Sequence, residues 1–155
     1  MMTLKIGDPV PAVILADADG APLPLAGFVG KPFIVYFYPK ADTPGCTTEA
    51  QDFTRLAGDF AAHGAPVIAV SRDTPAKLRK FRDKYGLTVR VAADADDSVC
   101  AAFGTWVEKS MYGRAYMGIE RSTFLFGSDG RLAAEWRSIK VKGHADAVLA
   151  ALQGL

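Results

Sequence analysis

Two unbroken hydrophobic runs constrain the fold of this chain more than any other feature of its 155 residues. Residues 33–38 (FIVYFY) and 66–71 (PVIAVS) lack polar alternation and are rich in β-branched and aromatic side chains, as is typical of strands buried on both faces of a sheet. The chain between them carries one helical apolar stripe that ends before Gly64: Ala50, Phe53, Ala57 and Phe60. A strand, a helix and a second strand in this order predict a parallel pair in an α/β sheet.

Shorter segments continue this alternation of strands and helices. The sequence predicts edge strands at 13–15 and 23–25, a helix from Asp73 to Gly86, an extended piece at 87–91, a short helix at 96–103, a hairpin of strands 122–126 and 132–136, and a last amphipathic helix that contains residues 145–152. Residues 105–120 are polar and rich in Tyr, Met and Gly, and no element is predicted there. We therefore expect one α/β domain over residues 1–155, with a mixed central sheet flanked by helices in a thioredoxin-like order.

Composition and charge exclude several classes of function. The formal net charge is +1 and the chain has no run of basic residues, so there is no electrostatic basis for binding nucleic acid or a membrane surface. The apolar stretches are too short to span a bilayer, and the N-terminal residues lack the pattern of a signal peptide, so we expect a cytoplasmic protein. Two cysteines and two histidines are too few for a structural zinc site or a disulfide framework, and we expect neither a metal nor an organic cofactor.

The segment that follows the first hydrophobic run places a cysteine where a thiolate is favoured. If Thr43 is the N-cap and Pro44 the first helical residue, Cys46 falls in the first turn. The backbone N–H groups there lack intrahelical partners and the helix dipole is positive, so both effects stabilise a thiolate, the nucleophilic form of cysteine. A thiolate that solvent can reach at this position can attack a peroxide O–O bond and become a sulfenic acid.

An inert core residue is the competing interpretation of Cys46, because an unpaired cysteine often behaves as a small buried hydrophobic residue. Cys46 lies outside the apolar stripe, and its neighbours are Gly45 and Thr47. A purely structural role also gives no reason for Pro, Thr, Pro, Gly and Cys to meet at a strand-to-helix turn. We therefore favour the nucleophile.

The same segment, YPKADTPGCTTEA (residues 38–50), resembles the active-site segment of the peroxiredoxins, in particular of the bacterioferritin comigratory protein or PrxQ branch. The family pattern Pro-x-x-x-Thr-x-x-Cys is met by Pro39, Thr43 and Cys46, and residues 103–126 are similar to a second segment of that branch. The resemblance covers essentially the whole chain. It implies a thioredoxin-like fold and a thiol-dependent peroxidase that reduces hydrogen peroxide and organic hydroperoxides without a cofactor.

The resemblance also implies a role for each matched residue. Cys46 is the peroxidatic nucleophile, and Thr43 hydrogen-bonds the bound peroxide. Arg121 falls at the position of the family's active-site arginine, which orients and stabilises the thiolate and the transition state. Pro39 shields the site and shapes the loop, and Glu49 helps to arrange the arginine. Without the resemblance, Arg121 would be interpreted as a surface arginine at the start of a strand.

The chain departs from the family pattern in its second cysteine. Many members of this branch carry a resolving cysteine where this chain has Gln51, and others carry it on the next helix, near Phe81-Arg82. The second thiol of this chain, Cys100, is most simply a buried small residue. We therefore predict a one-cysteine cycle in a monomer, with thioredoxin, glutaredoxin or a small thiol as reductant. The rival is a Cys46–Cys100 disulfide, which requires local unfolding unless the two Cα atoms lie within about 7 Å.

Three other functions compete with a peroxidase. A thioredoxin-like disulfide reductase is disfavoured because Cys46 is not part of a C-x-x-C pair. A glutathione-peroxidase-like enzyme fits the Thr-Pro-Gly-Cys context less well. A redox-sensing or chaperone-type binding module would use oxidation of Cys46 as a switch, with stoichiometric oxidation in place of turnover.

Overall fold

A seven-stranded sheet forms the centre of the computed structural model, which describes residues 4–155; residues 1–3 of the predicted domain lie outside the described residues. The strands of the chain are β1 (Ile14–Asp17), β2 (Pro22–Pro24), β3 (Phe33–Phe37), β4 (Val67–Ser71), β5 (Arg90–Ala93), β6 (Trp106–Met111), β7 (Arg114–Ile119), β8 (Ser122–Phe126) and β9 (Leu132–Trp136). The helices are α1 (Pro44–Arg55), α2 (Ala57–Ala62), α3 (Pro75–Tyr85), α4 (Ser98–Phe103) and α5 (His144–Gln153), with a 3₁₀ turn at Leu25–Phe28. None of the described helices combines the length and the apolar character that crossing a membrane requires.

The order of the strands in the sheet is β2-β1-β5-β4-β3-β8-β9. Strands β3 and β4 are parallel neighbours, as the two hydrophobic runs and the helix between them predict, and β5 adds a further parallel strand beside β4. The remaining pairs, including the predicted β8–β9 hairpin, are antiparallel. The prediction of a mixed central sheet flanked by helices is therefore confirmed.

The side chains of β3 alternate between two hydrophobic cores, one on each face of the sheet. Ile34 and Tyr36 belong to the core that α1, α2, α3 and α5 cover. Phe33, Val35 and Phe37 belong to the core on the opposite face, to which α4 contributes. All of β3 is buried, which explains why its sequence shows no polar alternation.

The helical segment after β3 differs from the prediction because it is broken at Leu56. Leu56 has φ −94° and ψ 9°, so α1 and α2 are separate helices. Phe53 and Phe60 still pack against each other across the break, with ring centroids 5.7 Å apart. Leu56 itself is buried, and Gly58 lowers the helix propensity of the segment that follows. The apolar stripe thus predicts the buried face correctly, but not the continuity of the helix.

The polar segment 105–120, for which the sequence predicts no element, contains the separate two-stranded hairpin β6–β7. Its turn is Tyr112-Gly113, both with positive φ (52° and 77°), the sign that a type I′ hairpin turn requires. Most side chains of the two strands are partly or fully exposed, so no alternation of apolar and polar residues marks them in the sequence.

One end of the sheet collects the residues predicted to be functional. Strand β3 leads through a loop into α1, which carries Cys46. Ser122, the first residue of β8, pairs with Phe37, the last residue of β3, so Arg121 lies at the same end. The carboxyl ends of parallel strands are the usual place for a functional site in an open α/β sheet.

Candidate active site

The first turn of α1 has the geometry that the sequence predicts. Thr43 is the N-cap, with an extended backbone (φ −94°, ψ 155°), and Pro44 is the first helical residue. The N–H of Thr47 donates to the Thr43 carbonyl at 2.8 Å and closes the turn. The N–H groups of Gly45 and Cys46 precede this bond, so the positive end of the helix dipole lies beside the thiol.

Arg121 connects Cys46 to a carboxylate. Its Nη2 donates to the Sγ of Cys46 at 3.2 Å, and its Nη1 donates to Oε1 of Glu49 at 2.7 Å. The Arg121 side chain is 17% exposed and that of Glu49 is 1% exposed, so both contacts are largely shielded from solvent. A planar guanidinium that bonds two acceptors at once holds them in a defined geometry. Arg121, from a distant part of the chain, therefore meets two predicted site residues of α1.

Gly45 allows the arginine to approach this closely. A Cβ at position 45 would lie 3.3 Å from Nη2 of Arg121, closer than ordinary van der Waals contact. The sequence alone predicts no role for Gly45. The available signal is a glycine inside the first turn of a helix, where it lowers helix propensity, directly before Cys46.

Cys46 is buried, contrary to the expectation of a thiol that solvent can reach. Only 2% of its surface is exposed, and it packs in the same core as Ala50 and Phe53. The buried residues of α1 are spaced as one helical face: Cys46, Glu49, Ala50 and Phe53. The interpretation that Cys46 lies off the apolar stripe is therefore wrong, because the stripe begins one turn earlier, at Cys46 itself.

Burial governs the protonation of Glu49. Removal of its carboxyl group from water raises its pKa from 4.5 to about 7, although Arg121 acts in the opposite direction. Its Oε2 and the hydroxyl of Tyr36 are buried without a hydrogen-bond partner among the described residues. Burial, and after it the charge of Glu49, raises the pKa of Tyr36. Burial alone would lower the pKa of the Arg121 guanidinium. The nearby Glu49 and Cys46 outweigh this effect and raise the pKa.

Replacement of Glu49 by glutamine is expected to change the pH dependence of stability. A carboxyl group whose pKa is raised in the folded chain stabilises the fold below pH 4.5, and this contribution is lost as the pH rises to about 7. The loss amounts to on the order of 3 kcal/mol. The free energy of unfolding of Glu49→Gln should therefore increase relative to that of the wild type between pH 4.5 and 7, as measured by urea denaturation under reducing conditions.

The comparison with the wild type is essential because His144 acts in the opposite direction. Burial lowers the pKa of His144 from 6.5 to about 4, so its contribution to stability increases as the pH rises through this range. Because both proteins contain His144, its contribution cancels when the free energy of unfolding of the wild type is subtracted from that of Glu49→Gln. The exposed Glu108 provides the control, since Glu108→Gln should follow the wild type. If the free energies of unfolding of Glu49→Gln and the wild type changed in parallel with pH, the raised pKa of Glu49 would be contradicted.

Thr43 and Pro39 belong to the loop between β3 and α1. The Thr43 hydroxyl donates to the Lys40 carbonyl at 2.8 Å and does not cap the helix. Because its proton is used there, the oxygen remains as an acceptor. Pro39 is exposed, two residues after the end of β3. Its exposure fits the predicted role in shaping the loop better than the predicted role in shielding the site.

Cys100 lies on the opposite face of the sheet from Cys46. It packs with the side chains of β3 that point away from α1, and the structure describes both cysteines as free. Burial and the neighbouring Asp94 raise the pKa of the Cys100 thiol to about 12. A thiol that stays protonated is a weak nucleophile, so Cys100 has the properties of the buried small residue that the sequence predicts.

Known proteins resemble this chain along most of its length. The model of the AhpC/TSA family matches residues 6–135. The peroxiredoxin Bcp of Xanthomonas campestris is 45% identical over 139 residues, covering 90% of this chain and 87% of that protein. The peroxiredoxin Bcp of Bacillus subtilis is 42% identical over 154 residues, covering 99% and 98%. A solved structure of the X. campestris bacterioferritin comigratory protein, described for its alkyl peroxide reduction activity, has a TM-score of 0.90 at 41% identity and covers 97% of this chain and 96% of that chain. These matches confirm the thioredoxin-like fold.

Proposed function

We propose a one-cysteine cycle for this chain, which belongs to the AhpC/TSA family and is a thiol-dependent peroxidase of the Bcp and PrxQ branch of the peroxiredoxins. In this cycle Cys46 is the nucleophile, Arg121 and Thr43 act on the peroxide, and an external thiol restores the enzyme. The choice of Cys46 rests on the 3.2 Å contact between the Arg121 guanidinium and the Cys46 sulfur at the start of a helix, and the one-cysteine cycle rests on the position of Cys100 on the other face of the sheet.

The first half of the cycle oxidises Cys46. The thiolate attacks one peroxide oxygen, the S–O bond forms as the O–O bond breaks, and the departing RO⁻ takes up a proton to become ROH, or water when the substrate is hydrogen peroxide. Arg121 stabilises the thiolate before attack and the negative charge on the leaving oxygen during attack. The N–H groups of Gly45 and Cys46, which precede the hydrogen-bonded ladder of α1, favour the same charge.

The remaining assigned residues position the reactants. Thr43 accepts a hydrogen bond from the hydroperoxide O–H, since its own proton is donated to Lys40. Glu49 acts through Arg121, whose guanidinium it holds at 2.7 Å. Pro39 shapes the loop between β3 and α1. Together these contacts orient the peroxide for in-line attack without a metal or organic cofactor.

The second half of the cycle reduces the sulfenic acid at Cys46. A thiol attacks the sulfur, an S–S bond forms, and the hydroxyl leaves as water; a second thiol then releases Cys46 and a disulfide. Gln51, at the usual resolving position, is exposed, and Cys100 packs behind the sheet. These observations support an external reductant (thioredoxin, glutaredoxin or a small thiol) over an internal disulfide, whose Cα atoms must lie within about 7 Å.

Replacement of Cys100 by alanine is expected to leave the peroxidase rate within about twofold of the wild type, because a protonated thiol behind the sheet takes no part in the cycle. Peroxide-treated wild-type protein should show a sulfenic acid, or a mixed disulfide with the added thiol, at Cys46 in peptide mass spectra. A dominant Cys46–Cys100 crosslink, or loss of turnover in a folded Cys100→Ala variant, would establish the two-cysteine cycle instead.

We also infer that residues 1–155 form one domain that acts as a monomer in the cytosol. The resemblance to the PrxQ branch favours a monomer, and two unpaired cysteines fit a reducing compartment. Light scattering of the purified protein tests the first inference, and cell fractionation tests the second.

A further inference from the structure

A cavity of about 620 Å³ lies between α3 and the loop that leads into α1. Ala41 and Phe81 contribute apolar surface to it. The rest of its lining is charged and consists of four lysines and three aspartates: Lys40, Lys77, Lys80, Lys84, Asp42, Asp73 and Asp83. Neither half of the proposed cycle gives this cavity a role.

Positive charge is concentrated on the wall that α3 provides. Lys77, Lys80 and Lys84 are spaced i, i+3 and i+7, so they share one face of the helix. The helix carries five basic residues and one acidic residue, although the chain has a net charge of only +1. The near-zero net charge of the chain therefore coexists with a local basic surface on α3.

The acidic residues at the cavity are already engaged by other groups. Asp73 accepts two hydrogen bonds of 2.8 Å, and Asp42 accepts from Lys84 and Tyr85. Asp83 accepts from the neighbouring guanidinium of α3 at 3.0 Å. By contrast, the three other lysines have no ion-pair partner among the described residues: Lys40, Lys77 and Lys80. The two donors to Asp73 are neutral and leave its charge in place, so within the described part of the chain three unpaired lysines and one unpaired carboxylate give the cavity a net positive charge.

The loop over this cavity is the one that positions the nucleophile. The backbone N–H of Ala41 and the carboxylate of Asp42 bond to groups at the two ends of α3. Ala41 also packs against the core that contains Cys46, and the hydroxyl of Thr43 bonds to the carbonyl of Lys40. A molecule in the cavity would thus contact residues 40–42, directly before the first turn of α1.

We propose that this cavity binds the external reductant, and that the reductant is a small thiol with two or more carboxylates. The inference rests on the one-cysteine function proposed above, which requires a thiol from outside the chain. Ammonium groups bind carboxylates, the half-buried Ala41 offers an apolar contact to the carbon skeleton, and the volume suits a ligand of metabolite size. A neutral hydroperoxide would gain little binding energy from the lysines, so the positive charge favours binding of the reductant over binding of the peroxide.

The chemistry of the bound thiol balances without a further reagent. Its sulfur forms an S–S bond to Cys46 as the S–O bond of the sulfenic acid breaks, and the hydroxyl leaves as water with the proton of the thiol. A second molecule of the same thiol attacks the mixed disulfide, releases the symmetrical disulfide and restores Cys46. Because Cys46 is buried, the loop must shift for the attack, and the bound thiol lies against that loop.

The test compares mercaptosuccinate, which carries two carboxylates, with the neutral 2-mercaptoethanol under conditions in which the thiol limits turnover. Lys77→Glu/Lys80→Glu is expected to lower the rate with mercaptosuccinate about tenfold and the rate with 2-mercaptoethanol less than about twofold. For each thiol, the rate of the variant is divided by the rate of the wild type. The difference in intrinsic nucleophilicity between the two thiols then cancels. Raising the ionic strength should reduce the tenfold effect.

Lys5→Glu/Lys31→Glu is the matched control, because it changes the net charge equally at the other end of the sheet, where Lys31 precedes β3. It should keep both rates within about twofold. Equal losses with the two thiols, no loss with mercaptosuccinate, or a loss confined to turnover with thioredoxin would each overturn the inference. Failure of the one-cysteine cycle is recognised separately, as a Cys46–Cys100 crosslink in the mass spectra.

Discussion

Cys46→Ser is expected to abolish the consumption of hydroperoxide, with a loss of at least about three orders of magnitude in kcat/KM. A serine hydroxyl is not ionised near neutral pH, so neither the helix N-terminus nor Arg121 can turn it into a nucleophile comparable to a thiolate. The measurement is the decay of hydrogen peroxide and of an organic hydroperoxide, with dithiothreitol or thioredoxin as reductant.

The matched variant for this experiment is Cys100→Ala, which removes the second thiol and should retain turnover. Cys46→Ser keeps the ion pair between Arg121 and Glu49, so its circular dichroism and its urea denaturation should remain close to those of the wild type. Full activity in Cys46→Ser would falsify the assignment of the nucleophile. A wild type that oxidises once and does not turn over would indicate a redox switch in place of a peroxidase.

The strand-helix-strand unit was predictable because its physical causes are local. The run at 33–37 is apolar at every position since both faces of β3 are buried, and burial on both faces is what removes polar alternation. The start of α1 was equally predictable, because the fixed φ of Pro44 suits the first helical position and Thr43 occupies the N-cap, although its hydroxyl bonds to the Lys40 carbonyl and not to the helix.

The burial of Cys46 and Glu49 was not predicted, because a stripe that includes a thiol and a carboxyl group does not look apolar. Both residues continue the face of Ala50 and Phe53 toward the start of the helix. A buried carboxyl group is costly unless it is paired, and its partner, Arg121, comes from a position 72 residues away. No local pattern could supply that pairing.

The position of Arg121 depends on the register between two strands. Pairing of Ser122 with Phe37 brings the residue before β8 next to the end of β3. The sequence predicts the strand that begins after Arg121, but not its neighbour in the sheet. From the residues alone, Arg121 would therefore be a surface arginine, and the resemblance to the peroxiredoxins supplied what periodicity could not.

Arg121→Met is expected to lower kcat/KM for hydroperoxide by about 10²- to 10³-fold, the usual effect of removing a group that stabilises developing negative charge. Methionine is unbranched and fills space in a similar way, but it has neither charge nor N–H donors. Arg121→Lys keeps the charge, but a single ammonium cannot match the fork that donates to Cys46 at 3.2 Å and to Glu49 at 2.7 Å. We expect an intermediate loss of about 10- to 10²-fold for this variant. Steady-state kinetics with limiting peroxide measures both losses.

A double-mutant cycle distinguishes positioning by Glu49 from a contribution of its own. If Glu49 acts through the arginine, Glu49→Gln lowers kcat/KM in the wild type and adds little to Arg121→Met, because the group that it positions is already absent.

Arg137→Met is the control, since this arginine is also half-buried (24% exposed) but donates to the carbonyls of Phe103 and Gly104. It should stay within about threefold of the wild type. Additive losses in the cycle would contradict the positioning role of Glu49, and an unchanged kcat/KM in Arg121→Met would contradict the role of the arginine. Because the proposed role of Arg121 concerns only the thiolate and the leaving oxygen, the expected loss is similar for hydrogen peroxide and organic hydroperoxides.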